Sequence, residues 1–467
     1  MSTPKGRAGG REARPGFKCS ECGWLTQKWV GRCGECQAWG TVDEVARPLA
    51  VTPARAAATP ARPIAEIEAE SAVTTATGVD EFDRVLGGGL VGGAVVLLAG
   101  EPGVGKSTLL LDVAGRAAST GRRVLYVTGE ESAAQVRLRA ERIGALRPRL
   151  LLAAETDLAT VLGHVETTAP DLLVVDSVQT LASDAIEGSA GGVSQVREVA
   201  ASLIKVAKQR GMATVLVGHV TKDGSVAGPR VLEHLVDVVC QFEGDRHTPL
   251  RMVRAVKNRY GPTDEVGCFE LGEHGITGLA DPSGLFLATH PLPVPGTAVT
   301  VTLEGRRPLP AEVQALVSPP GGPVRRASSG IEGPRLAMLL AVLERRCRIP
   351  MSRYDVYAST VGGVRLAEPA ADLALALALS SSLTEQALPE RTVFLGEVGL
   401  AGELRPVAGI GRRLAEAARL GFTAALVPAG TTAETPERML VHEVADVGAA
   451  LQWVAQGPRP ARPQPLP

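Results

Sequence analysis

Aromatic residues are scarce in this chain of 467 residues, where Phe, Trp and Tyr together make up only 3%. Any contact with a nucleic acid is therefore expected to depend on backbone charge and loops more than on stacked rings. The formal net charge of −1 argues against a uniformly basic protein that coats DNA, although a ring or groove could still have a basic inner wall. No apolar run follows the basic start, and no uncharged apolar segment is long enough to span a bilayer. We therefore expect a cytoplasmic protein with no membrane partner.

Cysteine is also infrequent, and four of the seven cysteines lie near the N-terminus. They form two C-x-x-C turns, each of which directs two thiolates to one point, and together they offer the four soft ligands of a closed structural zinc site. A redox dithiol is the less favoured alternative, since no thioredoxin-like context surrounds the motif. The predicted zinc ligands are Cys19, Cys22, Cys33 and Cys36. Three tryptophans are expected to pack around this small core: Trp24, Trp29 and Trp39.

Composition and hydrophobic periodicity change several times along the chain, and these changes predict an α/β protein of several domains. Short β-branched runs such as 124–128, 172–176 and 214–218 alternate with helical patterns such as 131–143 and 194–210, which indicates a parallel sheet covered by helices. The predicted boundaries are a disordered tail at 1–16, a cysteine module at 17–40, a linker at 41–72, a first α/β domain at 73–290, a second at 291–456, and a Pro-rich tail at 457–467.

A phosphate-binding loop is the most specific motif of the chain. It follows an apolar run and precedes a helix-like run, as the G-x-x-x-x-G-K-[ST] pattern requires. Glycines let the backbone N–H groups surround a phosphate chain, Lys106 neutralises the β- and γ-phosphates, and Ser107 offers a hydroxyl to Mg²⁺. The chain is therefore predicted to bind ATP with Mg²⁺. The predicted nucleotide-binding residues are Gly100, Glu101, Pro102, Gly103, Val104, Gly105, Lys106, Ser107 and Thr108.

Two further strands end in carboxylates. The run 172–176 ends at Asp176, which is predicted to hold Mg²⁺ beside Ser107. The run 124–128 leads to Glu130 and Glu131; by resemblance to RecA-type ATPases, one of them would polarise the attacking water, and Glu130 lies nearer the strand end. Alternatively, both glutamates only cap the helix that follows, because acidic residues favour helix N-termini.

Three segments carry a more specific resemblance. The runs 216–224, 227–234 and 256–261, together with the N-terminal cysteines, resemble the bacterial RadA (Sms) family of RecA-related recombination and repair ATPases. The resemblance extends from Cys19 to about Pro428. The family's Lys-Asn-Arg-Phe-Gly motif has Tyr260 in place of the phenylalanine here, a mild change for an aromatic ring.

The resemblance also implies which residues would sense the nucleotide and which would bind DNA. His219 ends a strand and would sense the γ-phosphate, although such a histidine is often only a polar cap. The segments 221–230 and 183–194 would line a central axis and hold single-stranded DNA, with Lys222 and Arg230 contacting its phosphates. The alternative is that both segments are solvated surface loops.

Lys257 and Arg259 lie in the pentapeptide motif and would project on the same side of an extended segment. The resemblance gives them an arginine-finger role toward the ATP of a neighbouring subunit, which implies a homohexameric ring; an exposed edge strand with solubilising cations is the alternative. The implied function is a DNA-dependent ATPase that drives branch migration on single-stranded and branched DNA. A RecA-type recombinase and a replicative helicase are its implied partners. The alternatives are a replicative-type helicase and a RecA-fold switch without motor activity.

Residues 310–456 resemble the proteolytic domain of Lon, but without its catalytic pair. The position of the nucleophilic serine falls on Ala370, and the position of the lysine base falls near Gly411, followed by Arg412 and Arg413. A guanidinium group cannot act as a base at neutral pH, so peptidase activity is not expected. The resemblance implies a ring-forming platform that binds duplex DNA, and the candidate contacts are Arg306, Arg307, Arg325 and Arg326.

Overall fold

The computed structural model describes residues 16–44, 63–66, 74–219, 229–244, 248–288 and 293–456. The chain divides into two units, Met1–Glu68 and Ala69–Pro467. Lys222 and the side chain of Arg230 lie outside the described residues, as do both tails and most of the predicted linker. Within the described ranges, no helix has the length and apolar character needed to cross a membrane.

The first unit contains a small three-stranded ribbon. Strand β1 (Phe17–Cys19) pairs antiparallel with both β2 (Leu25–Thr26) and β3 (Val42–Glu44). Because β3 hydrogen-bonds to β1, the ribbon extends to Glu44, beyond the predicted end at residue 40.

The tryptophans of the ribbon differ in their environments. Trp24 is partly buried, and a Cβ atom added to Gly34 would lie only 2.9 Å from its ring. Trp29 and Trp39 are instead 65% and 75% exposed. The expectation that all three pack around the core is therefore wrong for two of them, since a core of Cys19, Cys33 and Val42 is too small to cover three indoles.

The second unit begins with a nine-stranded sheet of order β14-β13-β12-β11-β6-β10-β9-β7-β8. The strands from β11 to β8 in this order are mutually parallel, whereas β12, β13 and β14 are antiparallel additions. The strands of this region, including a separate β4–β5 pair, are β4 (Thr74–Thr75), β5 (Leu90–Val91), β6 (Val95–Gly100), β7 (Val124–Thr128), β8 (Leu150–Ala154), β9 (Leu172–Asp176), β10 (Ala213–His219), β11 (Val238–Gly244), β12 (Leu250–Asn258), β13 (Val266–Gly272) and β14 (Gly275–Gly278).

Helices cover both faces of this sheet. Successive residues of β6 alternate between two apolar clusters, one for each face, which explains why the strand is apolar at every position. The helices are α1 (Asp80–Leu86), α2 (Lys106–Ser119), α3 (Ala133–Arg142), α4 (Leu158–Thr168), α5 (Val193–Arg210) and α6 (Pro229–Leu232). The strands predicted at 124–128 and 172–176 match β7 and β9. Helix α3 begins later than predicted because Ser132 is its N-cap, in a capping box with Gln135.

A seven-stranded sheet of order β17-β18-β16-β15-β19-β22-β23 follows in the same unit. Helix α8 is apolar on all sides and nearly every residue is buried, so it forms the centre of this region's core. The remaining strands are β15 (Thr297–Glu304), β16 (Arg307–Ser318), β17 (Arg326–Ser329), β18 (Asp355–Thr360), β19 (Thr392–Phe394), β20 (Glu397–Val398), β21 (Leu404–Arg405), β22 (Ala424–Pro428) and β23 (Leu440–Val444). The helices are α7 (Gly333–Arg346), α8 (Asp372–Thr384), α9 (Ile410–Arg419) and α10 (Val447–Gln456).

Arg307 joins the two sheet regions. Its guanidinium forms a buried ion pair with Glu81 of α1 and donates to the backbone carbonyls of Val266, Leu279 and Ala280. The expectation that Arg307 contacts duplex DNA is therefore wrong, because the residue is buried and its guanidinium bonds to these interior groups. Arg306 is half-exposed and pairs with Asp264.

Arg413, next to the position of the Lon lysine, is buried in an ion pair. Its guanidinium donates to both carboxylate oxygens of Glu368, at 2.6 and 2.7 Å, and to the carbonyls of Val301 and Ala408. Burial opposes ionisation of Glu368, but the bonds from Arg413 outweigh it and hold the pKa of this carboxyl below its ordinary value. Ala370, the position predicted for the Lon serine, is also buried. The region thus contains a structural ion pair next to the position predicted for the Lon lysine.

We expect Arg413→Met to lower the free energy of unfolding by about 2–4 kcal/mol, because it removes a buried guanidinium and leaves the partly buried Glu368 carboxylate without its cationic partner. Arg412→Met is the matched control, since Arg412 is exposed and its loss should change stability by less than about 0.5 kcal/mol. Urea unfolding of the full chain measures both values. Equal stability of the two variants would contradict this account of the ion pair.

Candidate nucleotide and zinc sites

The four ribbon cysteines have the geometry of a zinc site. Their sulfur atoms all lie within 4.8 Å of one another, with 3.7 Å between Cys19 and Cys36 and 3.5 Å between Cys22 and Cys33. A tetrahedral site with Zn–S bonds of about 2.3 Å needs sulfur atoms about 3.8 Å apart. The hydroxyl of Thr41, 3.3 Å from the Cys19 sulfur, and a backbone N–H lower the pKa of the Cys19 thiol to about 6. The residues present therefore fit Zn²⁺.

The phosphate loop connects β6 to α2 and leaves the start of that helix open to an anion. Gly105 precedes the helix with φ of 110°, a left-handed conformation that favours glycine, and no side chain caps the helix. The first N–H groups of α2 are thus available to a phosphate.

Lys106 is a buried cation in this loop. Its ammonium group donates to the carbonyls of Gly100, at 2.7 Å, and Glu101, at 2.9 Å. Burial lowers the pKa of Lys106 to about 8, against the opposing attraction of Asp176 and Glu130. A bound phosphate would place a negative charge in direct contact with this ammonium group, whose hydrogen bonds among the described residues go to carbonyls. The loop therefore fits a nucleotide.

The other candidate groups meet here because parallel strands place their carboxyl ends at the same edge of a sheet. His219 of β10 is in register with Gly100 of β6, and Asp176 of β9 is in register with Thr128 of β7. The four strands are neighbours in the order β6-β10-β9-β7.

Glu130 belongs to this cluster. Ser177 donates to its Oε1 at 2.8 Å, and Nε2 of His219 lies 3.1 Å from the same oxygen. Within the described residues, neither ring nitrogen of His219 has a well-formed hydrogen bond, and Nε2 has this 3.1 Å contact alone. Burial and the nearby Lys106 lower the pKa of His219, so the imidazole is neutral near pH 7 and keeps one ring nitrogen free for a ligand.

Glu131 has a different environment. Its carboxylate forms an ion pair with Arg139 of α3 at 2.5 Å, and its backbone N–H donates to Thr128. Two adjacent glutamates therefore separate, one toward the nucleotide cluster and one toward the helix that follows.

Lys257 lies on β12 and Arg259 follows the end of that strand. Both cations face the segment between α6 and β11. The Lys257 ammonium donates to the carbonyls of Glu233 and Val236, at 2.7 and 2.8 Å, and Nη1 of Arg259 lies 3.4 Å from Asp237. Within the described part of the chain, neither cation contacts the phosphate loop of its own chain.

Several residues of the site have no clear signal in the sequence. Gln179 uses its side-chain amide to bond both the N–H and the carbonyl of His219. Gln195 is buried and holds the segment 183–188 through bonds to Ser183, Ile186 and Gly188. A polar residue in the apolar stripe of a predicted helix could have indicated Gln195, whereas only the tertiary structure identifies Gln179.

Three family models match parts of the chain. A model described as an AAA domain matches residues 65–225, a rubredoxin metal-binding domain matches 17–44, and the ChlI subunit of Mg-chelatase matches 340–431. The rubredoxin match covers all three ribbon strands, and the AAA match contains the phosphate loop.

Curated relatives match nearly the whole chain. DNA repair protein RadA of Mycolicibacterium smegmatis is 56% identical over 96% of this chain and 98% of the relative. The chain belongs to the RadA family of DNA repair proteins. RadA of Mycobacterium tuberculosis H37Rv is 56% identical over 95% of the chain and 93% of the relative, and RadA of Streptococcus pyogenes serotype M1 is 45% identical over 94% and 98%.

Membership of the RadA family and the AAA match identify the second unit as an ATPase with ATP and Mg²⁺ as cofactors, and the ribbon as a Zn²⁺ site. Among solved structures, the KaiC-like protein PH0186 from Pyrococcus horikoshii OT3 covers 44% of the chain at 22% identity. Its TM-score of 0.38 is too low to support an argument. None of the three family models is described as a Lon domain, so that resemblance stays a prediction.

We expect the purified chain to retain one zinc ion, because the four cysteines form one closed cluster. Cys33→Ser should lose the ion, since Cys33 is a buried member of that cluster and a structural zinc ribbon depends on all four ligands. Cys347→Ser is the matched control outside the cluster. Metal analysis after dialysis measures both, and stoichiometric zinc in Cys33→Ser would contradict the assignment.

Proposed function

We propose that the chain is a DNA-dependent ATPase of recombinational repair, which translocates on single-stranded DNA and drives branch migration as a homohexameric ring. One observation carries the proposal: His219 lies against Glu130 in the nucleotide cluster, and it is the last residue before the segment that contains Lys222 and Arg230. A change at the γ-phosphate would therefore reach the proposed DNA-binding segment through a single residue. The relatives' name, DNA repair protein RadA, supports the biological setting.

In the proposed hydrolysis step, the open N-terminus of α2 and the ammonium of Lys106 bind the phosphates. Ser107 and Asp176 would hold Mg²⁺, which neutralises phosphate charge when bound. Glu130 accepts the proton of the attacking water. Its Oε1 is already occupied by Ser177 and His219, so Oε2 is the oxygen left for the water.

Lys257 and Arg259 would contribute to hydrolysis of the ATP that is bound to a neighbouring subunit. Arg259 is half-exposed, and the contact that its guanidinium makes with Asp237 is long, at 3.4 Å. Breaking this contact to turn toward a neighbouring subunit would cost little. Lys257 must first release two backbone carbonyls. Both cations would stabilise the transferred phosphoryl group of the neighbour's ATP.

DNA would be held by phosphate contacts from Lys222 and Arg230, with the segment held by Gln195 as the second wall. Such contacts do not depend on sequence and weaken with salt. Because binding linkage is reciprocal, DNA and nucleotide would each change the affinity for the other. A RecA-type recombinase and a replicative helicase are the proposed partners on branched intermediates.

Substitution of the two adjacent glutamates tests the proposed base. Glu130→Gln should lower kcat by roughly 10²–10⁴-fold while ATP still binds, because the amide cannot accept the proton. Glu131→Gln should change kcat by less than about threefold, since it removes only a partly exposed ion pair. Steady-state hydrolysis measures both, and similar losses in the two variants would contradict the assignment of Glu130.

The response to DNA separates a motor from a switch. Single-stranded DNA should increase ATP turnover of the wild-type chain, and Lys257→Ala and Arg259→Ala should each abolish the increase. Turnover that does not respond to DNA would contradict the motor and favour a RecA-fold switch.

Mixed oligomers test whether Arg259 acts on the ATP of a neighbouring subunit. Arg259→Ala keeps an intact phosphate loop, and Lys106→Ala keeps an intact finger, so mixing the two inactive variants should restore about a quarter of the active interfaces. No recovery on mixing would contradict action between subunits. Subunit exchange, followed by fluorescence, is the necessary control.

A further inference from the structure

A tyrosine hydroxyl contacts the carboxylate proposed to bind magnesium. The hydroxyl of Tyr126 donates to Oδ2 of Asp176 at 2.7 Å, and the two residues are only 1% and 8% exposed. Tyr126 on β7 is in register with Val174 on β9, two residues before Asp176. Because side chains alternate along a strand, Tyr126 and Asp176 lie on the same face of the sheet.

The ring of Tyr126 is held firmly in place. It belongs to the apolar cluster on the α2 face of the sheet, together with Leu111, Val136 and Val174. A phenol is ordinarily protonated near pH 7, so the hydroxyl is a donor to the Asp176 carboxylate.

The carboxylate of Asp176 has little other support. Among the described residues it accepts no other side-chain hydrogen bond and forms no ion pair, and Lys106 acts on it only through longer-range attraction. A short bond between a hydroxyl and an ionised carboxylate is one of the stronger hydrogen bonds in proteins. The Tyr126 bond is thus the interaction that fixes which oxygen of Asp176 is occupied and which is free.

We propose that Tyr126 is a positioning residue for magnesium: its hydroxyl occupies Oδ2 of Asp176 and holds the other oxygen ready for the ion. The inference rests on the proposed role of Asp176 as a magnesium ligand. Partners of metal ligands commonly orient them in this way, and their removal weakens metal affinity.

Tyr126→Phe tests the proposal because it removes the hydroxyl and keeps the ring. Binding of a fluorescent ADP analogue to the full chain is titrated with Mg²⁺, without turnover. The Mg²⁺ concentration for half-maximal binding should rise roughly ten- to a hundredfold, whereas affinity for the nucleotide in excess EDTA should change by less than about twofold. Tyr357→Phe, in the seven-stranded sheet, is the matched control and should leave both values unchanged.

A double-variant cycle separates positioning from a structural role. In the Asp176→Asn background, Tyr126→Phe should cause no further shift in Mg²⁺ dependence, because the contact no longer acts on a metal ligand. Additive shifts, or an unshifted Mg²⁺ titration in Tyr126→Phe alone, would overturn the proposal. If Asp176→Asn itself leaves the Mg²⁺ titration unchanged, the assignment of Asp176 fails instead, and the two failures are distinguished.

Discussion

The buried ammonium group of Lys106 is the constraint on which the nucleotide site depends. It lies in the protein interior, and among the described residues its hydrogen bonds go to two backbone carbonyls. Burial of a charge is costly unless it is paired, and the environment reduces the pKa of this lysine to about 8. The open N-terminus of α2 adds partial positive charge at the same point. A phosphate chain is the ligand that satisfies both groups at once.

The parallel sheet supplies the remaining groups around this cation. Because β10, β9 and β7 are successive neighbours of β6, their carboxyl ends bring His219, Asp176 and Glu130 to the phosphate loop. The contacts among them are tight: Glu130 is shared by Ser177 and His219, and Asp176 is held by Tyr126. Each acidic group thus has a fixed orientation before any ligand binds, which is the form of preorganisation that favours a charged transition state.

Much of this arrangement could be predicted from the sequence, since motif spacing fixes local structure. The phosphate loop, β7, β9 and the four cysteines are local patterns with strong chemical constraints. In the structure, β7 and β9 are paired strands of the sheet that carries the phosphate loop, and the four cysteines separately form one cluster in the ribbon. The contacts that separate Glu130 from Glu131 could not be predicted: the partner of Glu130 is Ser177, 47 residues away, and that of Glu131 is Arg139, eight residues away on the next helix. The roles of two arginines also depend on burial, which the sequence does not reveal. Arg307 is expected from the sequence to be a surface cation that contacts DNA, but it forms an ion pair with Glu81. Arg413 lies next to the position predicted for the Lon lysine, and it forms an ion pair with Glu368.

The proposal that ATP hydrolysis drives movement on DNA is tested most directly by branch migration itself. A three-stranded recombination intermediate with a donor and an acceptor fluorophore on opposite strands reports extension of the heteroduplex in real time. The account predicts steady extension with ATP and Mg²⁺, and none with a nonhydrolysable analogue or with the Glu130→Gln variant. Extension at the same rate without hydrolysis, or no extension by the wild-type chain while it hydrolyses ATP on DNA, would contradict it.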